Sequence, residues 1–274
     1  MLAHVPARHR LVLASCVTAA AVVVVPALYV AAPAAAQSTV RYVALGDSYS
    51  AGDGAGDYSG GSCGRSANSY PALWDKASDP ASFSDETCDG ATTSSVLSGQ
   101  LATLSSATTL VSITVGGNDV GFSSVMETCV LLPTSSCVSA VRRAETEISA
   151  DLPGELDSVL SAVSADAPDA RVVLLDYPQL YDLSKSSSCL GLSTTDRTDL
   201  DQAANQLDGQ IQAAAGRYGD VFADVRPAFA GHQICDSGSW LHSVDWFDLG
   251  VSYHPTAAGQ QYGYLPVFTA AVAG

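Results

Sequence analysis

The sequence predicts an α/β protein built on an open parallel sheet, and three observations carry that expectation. Short β-rich apolar runs alternate with helical patterns along the whole chain after the first forty residues. One long helical stretch separates the third apolar run from the fourth, the spacing a crossover connection needs. No internal repeat or shift of composition marks a second domain.

Strands are expected at 42–46, 82–87, 110–115, 171–176 and 221–225. Between the third and fourth, Val138, Val141, Ile148, Leu152, Leu156, Val159, Leu160 and Val163 recur at three- and four-residue steps, the period of a helix with one buried face. Pro153 lies inside that pattern and should kink or divide it. A second amphipathic helix is expected over 200–215, with Leu207 and Ile211 facing inward. A closing helix should span 256–272, just after Pro255, where proline is tolerated at a helix start. The Gly/Ser-rich stretches 59–65 and 184–195 carry cysteines and read as tethered loops.

Residues 1–36 are set apart. Arg8 and Arg10 precede an almost wholly apolar run from Leu11 to Ala32, and Pro33-Ala34-Ala35-Ala36 offers small residues for a signal-peptidase cut before Gln37. The competing reading is an uncleaved membrane anchor, since the run approaches spanning length. Pro26 and the Ala-x-Ala ending favour cleavage. Cys16 follows Arg10 too closely for a lipoprotein leader. Residues 37–274 then form one domain, secreted and extracellular. The formal net charge is −16, and the only charged residues of the leader are Arg8 and Arg10, so the remainder is more acidic still. Such a balance argues against a nucleic-acid partner and against electrostatic docking on anionic lipid. With 47% hydrophobic residues, the chain is not a disordered one.

Seven cysteines become six when Cys16 leaves with the leader, and an even count in an exported chain reads as disulfides. Fifteen connectivities are open. Neighbour pairing (Cys63 with Cys88, Cys129 with Cys137, Cys189 with Cys235) closes the shortest loops, each bridge stabilising by about 2–4 kcal/mol. Zinc is the rival reading, disfavoured because no C-x-x-C occurs and the chain has only five histidines. The bridges are expected to be supports distant from the chemistry.

Three short motifs could make a nucleophile. Gly46-Asp47-Ser48 ends the first apolar run, Gly116-Gly117-Asn118-Asp119 follows the third, and Tyr253-His254-Pro255 lies near the C-terminus. A hydroxyl needs a base within hydrogen-bond reach and donors aimed at the developing oxyanion. In an open parallel sheet, ligands gather beyond the carboxyl ends of the strands, so these positions are expected on one rim. His4 and His9 belong to the leader, and His232 and His242 read as structural or rim residues. His254 remains as the base, its bland alternative being a packed or helix-capping histidine.

At this point the chain resembles the SGNH (GDSL) hydrolases, closest to secreted actinobacterial lipases and esterases. The resemblance spans nearly all of 37–274. It is carried by Gly46-Asp47-Ser48-Tyr49-Ser50-Ala51-Gly52, Arg65-Ser66, Tyr70-Pro71-Ala72-Leu73-Trp74, Cys88-Asp89-Gly90-Ala91-Thr92-Thr93, Gly116-Gly117-Asn118-Asp119-Val120-Gly121-Phe122, Phe229-Ala230-Gly231-His232 and Ser252-Tyr253-His254-Pro255-Thr256. The six cysteines also sit where that secreted branch has three sequential bridges. The resemblance implies a three-layer α/β/α sandwich around a five-stranded parallel sheet of flavodoxin-like order. It implies Ser48 as nucleophile, His254 as general base, and an oxyanion hole made by the Ser48 and Gly90 backbone N–H groups and the Asn118 side-chain amide. Many family members carry an aspartate three residues before the histidine; here that position is Val251. A backbone carbonyl, Ser252 first and Val251 second, is therefore expected to orient the ring, with a folded-back Asp245 or Asp248 as the alternative. Asp47 and Asp119 are expected to brace their turns.

The implied activity is hydrolysis of a carboxylic ester, a small molecule or more specifically a lipid acyl ester, through an acyl-enzyme. No metal or other cofactor is expected. Nor is a nucleic-acid partner or stable membrane insertion after cleavage, and the chain should be a monomer. Leu131, Leu132, Phe122 and Tyr58 are candidates to line an acyl cleft. The rival functions are a polysaccharide O-deacetylase with the same catalytic parts and a non-catalytic secreted binding module. A flavin or nucleotide binder is disfavoured, because the first turn lacks a phosphate-cradling glycine pattern.

Overall fold

A computed structural model describes residues 1–2, 38–59, 61–185 and 189–274. The chain divides into two units, 1–36 and 37–274. The leader and its cleavage site lie almost entirely outside the described residues, and the second unit is the subject below.

Five parallel strands form its sheet in the order β2-β1-β3-β4-β5. They are β1 (Arg41–Gly46), β2 (Ser82–Asp85), β3 (Leu110–Thr114), β4 (Arg171–Leu175) and β5 (Val221–Ala223). The central strands are continuous apolar runs because helices cover both faces. In β3 all five residues are buried, including Ser112, whose hydroxyl meets that of Tyr42 at 2.7 Å. Four ends fall short of the expected boundaries, and at three of them aspartates divert the ladder. The Asp85 carboxylate accepts from both the N–H and the hydroxyl of Thr87. Asp176 accepts the Val225 N–H at 2.7 Å, which ends β4 and β5 together.

The helices Thr134–Ala150, Leu152–Asp166 and Thr194–Tyr218 pack against one another on one side of the sheet. Tyr70–Ser78 and Leu265–Ala273 pack together on the other side, so the molecule has three layers. There Tyr42 meets Trp74 and Phe268 at ring separations of 5.2 and 5.5 Å. Pro153 does divide the long helical stretch: one helix ends at Ala150 and the next begins at Leu152, with the proline in its first turn. The helix expected at 200–215 runs from Thr194 to Tyr218. A reciprocal Ser193–Asp196 capping box extends its start, and Gly219 in the left-handed region stops it. The closing helix starts one residue later than expected, at Ala257, and passes through a wide π-type turn, Gly259–Tyr264, before Leu265–Ala273.

Sheet order reverses between β1 and β3, which leaves a crevice beyond their carboxyl ends. Gly46 closes β1 against β3 so tightly that a Cβ there would sit 2.2 Å from the Thr114 carbonyl oxygen. The buried Gln100 amide accepts the Gly46 N–H at 2.7 Å and donates to its carbonyl at 2.9 Å, continuing the ladder with a side chain. The segments leaving β1 and β3 are therefore held side by side. Among the described residues, no helix is long and apolar enough to cross a membrane.

Candidate active site

Ser48 opens a single helical turn, Ser48–Ala51, immediately after β1. The first N–H groups of a helical turn lack partners within it, so the Ser48 amide is available to an anion. Asp47 caps the turn by accepting the Tyr49 N–H at 3.0 Å. The buried Asp47 carboxylate also accepts from the hydroxyls of Thr114 at 3.1 Å and Tyr177 at 2.5 Å. Burial pushes its pKa up to about 7, against the pull of those donors. Asp47 thus braces the turn that carries Ser48.

His254 arrives from the far end of the chain, and its Nε2 stands 2.8 Å from Ser48 Oγ. Its loop is held by a short antiparallel exchange in which the His242 N–H donates to the His254 carbonyl and the Tyr253 N–H donates to the His242 carbonyl, both at 3.0 Å. The Tyr49 hydroxyl donates to the Tyr253 carbonyl at 2.8 Å, tying the His254 loop to the residue after Ser48. Burial pulls the His254 pKa below the ordinary histidine value. The Asp53 and Asp89 carboxylates, then the Ser252 and Gly250 carbonyls, oppose that shift. A neutral ring at neutral pH is what a general base requires. Nδ1 lies among these acceptors, so we assign it the ring proton, which leaves Nε2 to accept from the serine hydroxyl.

The expected ring orienters fare differently. The Val251 carbonyl accepts the His254 N–H at 3.1 Å and so serves the turn. The Ser252 carbonyl lies close enough to favour the charged ring, yet buried Nδ1 completes no hydrogen bond by strict geometry. Asp245 does not fold back: it accepts the Phe247 and Asp248 N–H groups in its own loop. The carboxylate nearest the ring is Asp53, with Oδ2 3.6 Å from Nδ1, a residue that sequence reasoning missed. The pattern Gly52-Asp53-Gly54 reads as an ordinary turn and hides it.

Asn118 and Gly90 meet beside the serine. The Asn118 amide donates to the Ala91 carbonyl at 3.0 Å, which fixes its direction and leaves its second N–H. Asp119 accepts the Thr93 N–H and hydroxyl, at 3.0 and 2.6 Å, and so stitches the Gly90 loop to the end of β3. Gly90 has φ +71°, a conformation that favours glycine, and an added Cβ would meet nothing within 4 Å. Ser48, Gly90, Asn118 and His254 line one cavity of about 240 Å³. His232 stacks on Trp240 with ring centroids 3.7 Å apart, and His242 Nε2 contacts the Gly54 carbonyl at 2.8 Å; both are structural.

From the catalytic end the cavity runs inward between two helices, past Val141, Ala144 and Ile148 on Thr134–Ala150 and Leu200, Ala203 and Leu207 on Thr194–Tyr218. Of the four residues expected to line an acyl cleft, Phe122 lines this cavity. Leu131 borders a neighbouring groove, and Leu132 a more distant one. The Tyr58 hydroxyl instead donates to Asp53. The cysteines are bridged 63–88, 129–137 and 189–235. One bridge is not distant from the chemistry: Cys88 lies two residues before Gly90. Among the described residues, Asp53, Asp89 and His254 bring three ligand-type atoms within 4.8 Å of one another. His254 in that group already engages Ser48 through Nε2, and Asp53 Oδ1 already accepts two donors. The atoms left over, His254 Nδ1 and Asp53 Oδ2, face each other at 3.6 Å.

Comparison with known proteins places the chain in a family. The profile of the GDSL-like Lipase/Acylhydrolase family matches residues 44–262. Lipase 1 of Streptomyces coelicolor is 51% identical over 243 residues, 88% of this chain and 89% of that protein. The crystal structure of phospholipase A1 from Streptomyces albidoflavus NA297 superposes with a TM-score of 0.82 at 50% identity, covering 84% of this chain and 98% of that one. An extracellular lipase from Streptomyces rimosus gives the same TM-score at 46% identity, over 85% and 99% of the two chains. This chain belongs to the GDSL-like lipase/acylhydrolase family, on the SGNH fold, and is a carboxylic ester hydrolase.

Proposed function

We propose that this protein is an exported lipase or phospholipase that cleaves lipid acyl esters through a Ser48–His254 dyad. The observation that carries the proposal is the 2.8 Å contact between Ser48 Oγ and His254 Nε2 at the mouth of an apolar cavity. As the Ser48 oxygen bonds to the acyl carbon, His254 Nε2 takes the hydroxyl proton. The carbonyl oxygen becomes an oxyanion facing the Ser48 N–H, the Gly90 N–H and the Asn118 amide. A donor of this kind stabilises such a charge by about 3–4 kcal/mol. Collapse expels the alcohol, protonated by His254, and leaves an acyl-enzyme. Water activated by the same ring then attacks the acyl carbon and restores the serine. The walls provided by Val141, Ala144 and Leu207 suit a long acyl chain better than an acetyl group, which favours lipid esters over polysaccharide acetates. Residues 1–36 act as the export signal in this reading, and the extracellular Streptomyces rimosus relative supports it.

Fluorophosphonate labelling, joined to a hydrolysis panel of nitrophenyl esters from acetate to palmitate, tests the proposal. Expected are labelling at Ser48, its loss in Ser48→Ala and His254→Ala, and a rate that rises with acyl length. Turnover confined to acetate would transfer the protein to the deacetylases, and an unlabelled wild-type chain would remove the dyad.

A further inference from the structure

Asp53 has no part in the dyad chemistry, yet it is placed as if it had one. It follows the helical turn that carries Ser48, and its Oδ2 stands 3.6 Å from His254 Nδ1. Both side chains are largely shielded, at 14% and 12% exposure. The other carboxylate oxygen is committed: Oδ1 accepts the Gly54 N–H at 3.1 Å and the Tyr58 hydroxyl at 3.2 Å. Tyr58 is itself held, because its hydroxyl oxygen also accepts from the Gly54 N–H at 2.9 Å. The loop is fastened to the base from a second direction. The Gly54 carbonyl meets His242 Nε2 at 2.8 Å, and Gly54 packs so closely that a Cβ would lie 3.0 Å from the His254 Cβ. On the other side of this contact, buried Nδ1 faces the Ser252 and Gly250 carbonyls but completes a well-formed hydrogen bond with neither.

The geometry points to Asp53 as a positioning residue for His254, a carboxylate supplied by the nucleophile's own loop in place of one from the segment before the histidine. The inference rests on the Ser48–His254 reading above. When Ser48 Oγ bonds to the acyl carbon, its proton passes to Nε2 and the ring carries one positive charge on two N–H groups. The proton stays on the ring, and the Asp53 carboxylate faces the new charge across Nδ1–H. At rest the separation is beyond a hydrogen bond and the contact is Coulombic. On charging it closes toward the ~2.8 Å of a charge-assisted pair. The other groups facing the ring are Asp89 from the Gly90 loop, the Ser252 and Gly250 carbonyls, and the Tyr49 ring at 5.2 Å. Asp89 is exposed, so solvent screens it more than Asp53.

The test is the pH profile of kcat/KM for a soluble short-chain nitrophenyl ester, measured on the full chain and on Asp53→Asn, Tyr58→Phe and Asp89→Asn. Losing a negative charge beside the imidazolium makes the ring easier to deprotonate. In Asp53→Asn the acid limb should therefore move to lower pH by at least about half a unit. The plateau should fall about 10- to 100-fold as the charged transition state loses support. Tyr58→Phe should move the limb the same way by less, and Asp89→Asn should move it less than Asp53→Asn does. A purely structural aspartate would lower the plateau without moving the limb, and that result overturns the inference, as does a larger shift in Asp89→Asn. Fluorophosphonate labelling separates the two failures. An unlabelled wild type sinks the dyad itself, whereas a labelled wild type with an unmoved limb in Asp53→Asn sinks only the role of Asp53. If Asp53→Asn does not fold, titration of the His254 ring by NMR in wild type and Tyr58→Phe decides. An identical titration midpoint in the two then overturns the inference.

Discussion

Ala144 sits in the wall of the cavity that runs inward from Ser48, on the helix Thr134–Ala150 and across from Leu200, Ala203 and Leu207. Replacing it with phenylalanine places a ring where the far part of an acyl chain would lie, without touching Ser48, Gly90, Asn118 or His254. A ring in that position displaces about four methylenes, and each buried methylene stabilises by about 0.8 kcal/mol. Long-chain esters should therefore lose about 3 kcal/mol of transition-state binding, about 200-fold in kcat/KM. A butyrate ester is too short to reach the ring and should be turned over within about twofold of wild type. The assay is kcat/KM for nitrophenyl butyrate, octanoate and palmitate, with the thermal midpoint recorded because an enlarged core side chain can destabilise the fold. Equal losses on short and long esters in a folded variant would refute the placement of the acyl chain between these helices. So would an undiminished rate on palmitate. Ala203→Leu narrows the facing wall and should reproduce the pattern with a smaller loss.

Three further outcomes are expected. Asp47, with its pKa pushed up to about 7, binds a proton in the folded state that the unfolded chain releases near pH 4. Its contribution is therefore full below about pH 4 and falls as the pH rises through about 7, so urea midpoints should decline across that window, and Asp47→Asn should flatten the decline. The Arg226 guanidinium lies 2.8 Å from Asp224, 3.2 Å from Asp176 and 3.7 Å from Asp208. Burial holds the Asp176 and Asp208 pKa values well above the carboxylate range. Arg226→Met should cost about 3–5 kcal/mol in urea unfolding at about pH 10, above both raised pKa values, and clearly less at about pH 6, where both acids hold a proton. Removing Cys63 and Cys88 together opens a link across 25 residues. The loss should be about 3.5 kcal/mol of stability on the chain-entropy scale. Because Cys88 adjoins the Gly90 loop, kcat should also drop, whereas removing Cys129 and Cys137 should lower the thermal midpoint and leave kcat on acetate esters near wild type.

The sheet was legible because β1 and β4 carry unbroken apolar runs and β3 is interrupted only by Ser112 before its last residue, a pattern that survives any choice of helix placement. Ser48, Asn118 and His254 were legible as a set because each stands at a junction between an apolar run or loop and a helical pattern. Strand ends were not, since Asp85 and Asp176 stop their strands by side-chain hydrogen bonds that composition does not announce. The acyl wall was hidden for another reason. Ala144 and Ala203 look like ordinary small residues on helix faces until two helices, far apart in sequence, are set beside each other. Tyr58 and Leu132 were attractive because they are large and near the motifs, but proximity along the chain says little about which side of a loop faces the serine. Asp53 escaped notice because the search for a carboxylate followed the segment before His254. The carboxylate that stands nearest Nδ1 comes instead from just after the serine.

Ser48 and His254 are separated by 206 residues, and nothing local brings them together. Gln260 makes the join explicit: its side-chain amide accepts the Tyr70 N–H and donates to the Tyr49 carbonyl, spanning 190 and 211 residues. Closing loops of that length belongs to the late stages of folding. A nascent chain emerging from the ribosome holds its serine long before any imidazole can reach it. Ser48 and His254 can therefore meet only once the last stretch of polypeptide has docked, and on the dyad proposed above a chain truncated before residue 254 is born without hydrolytic competence.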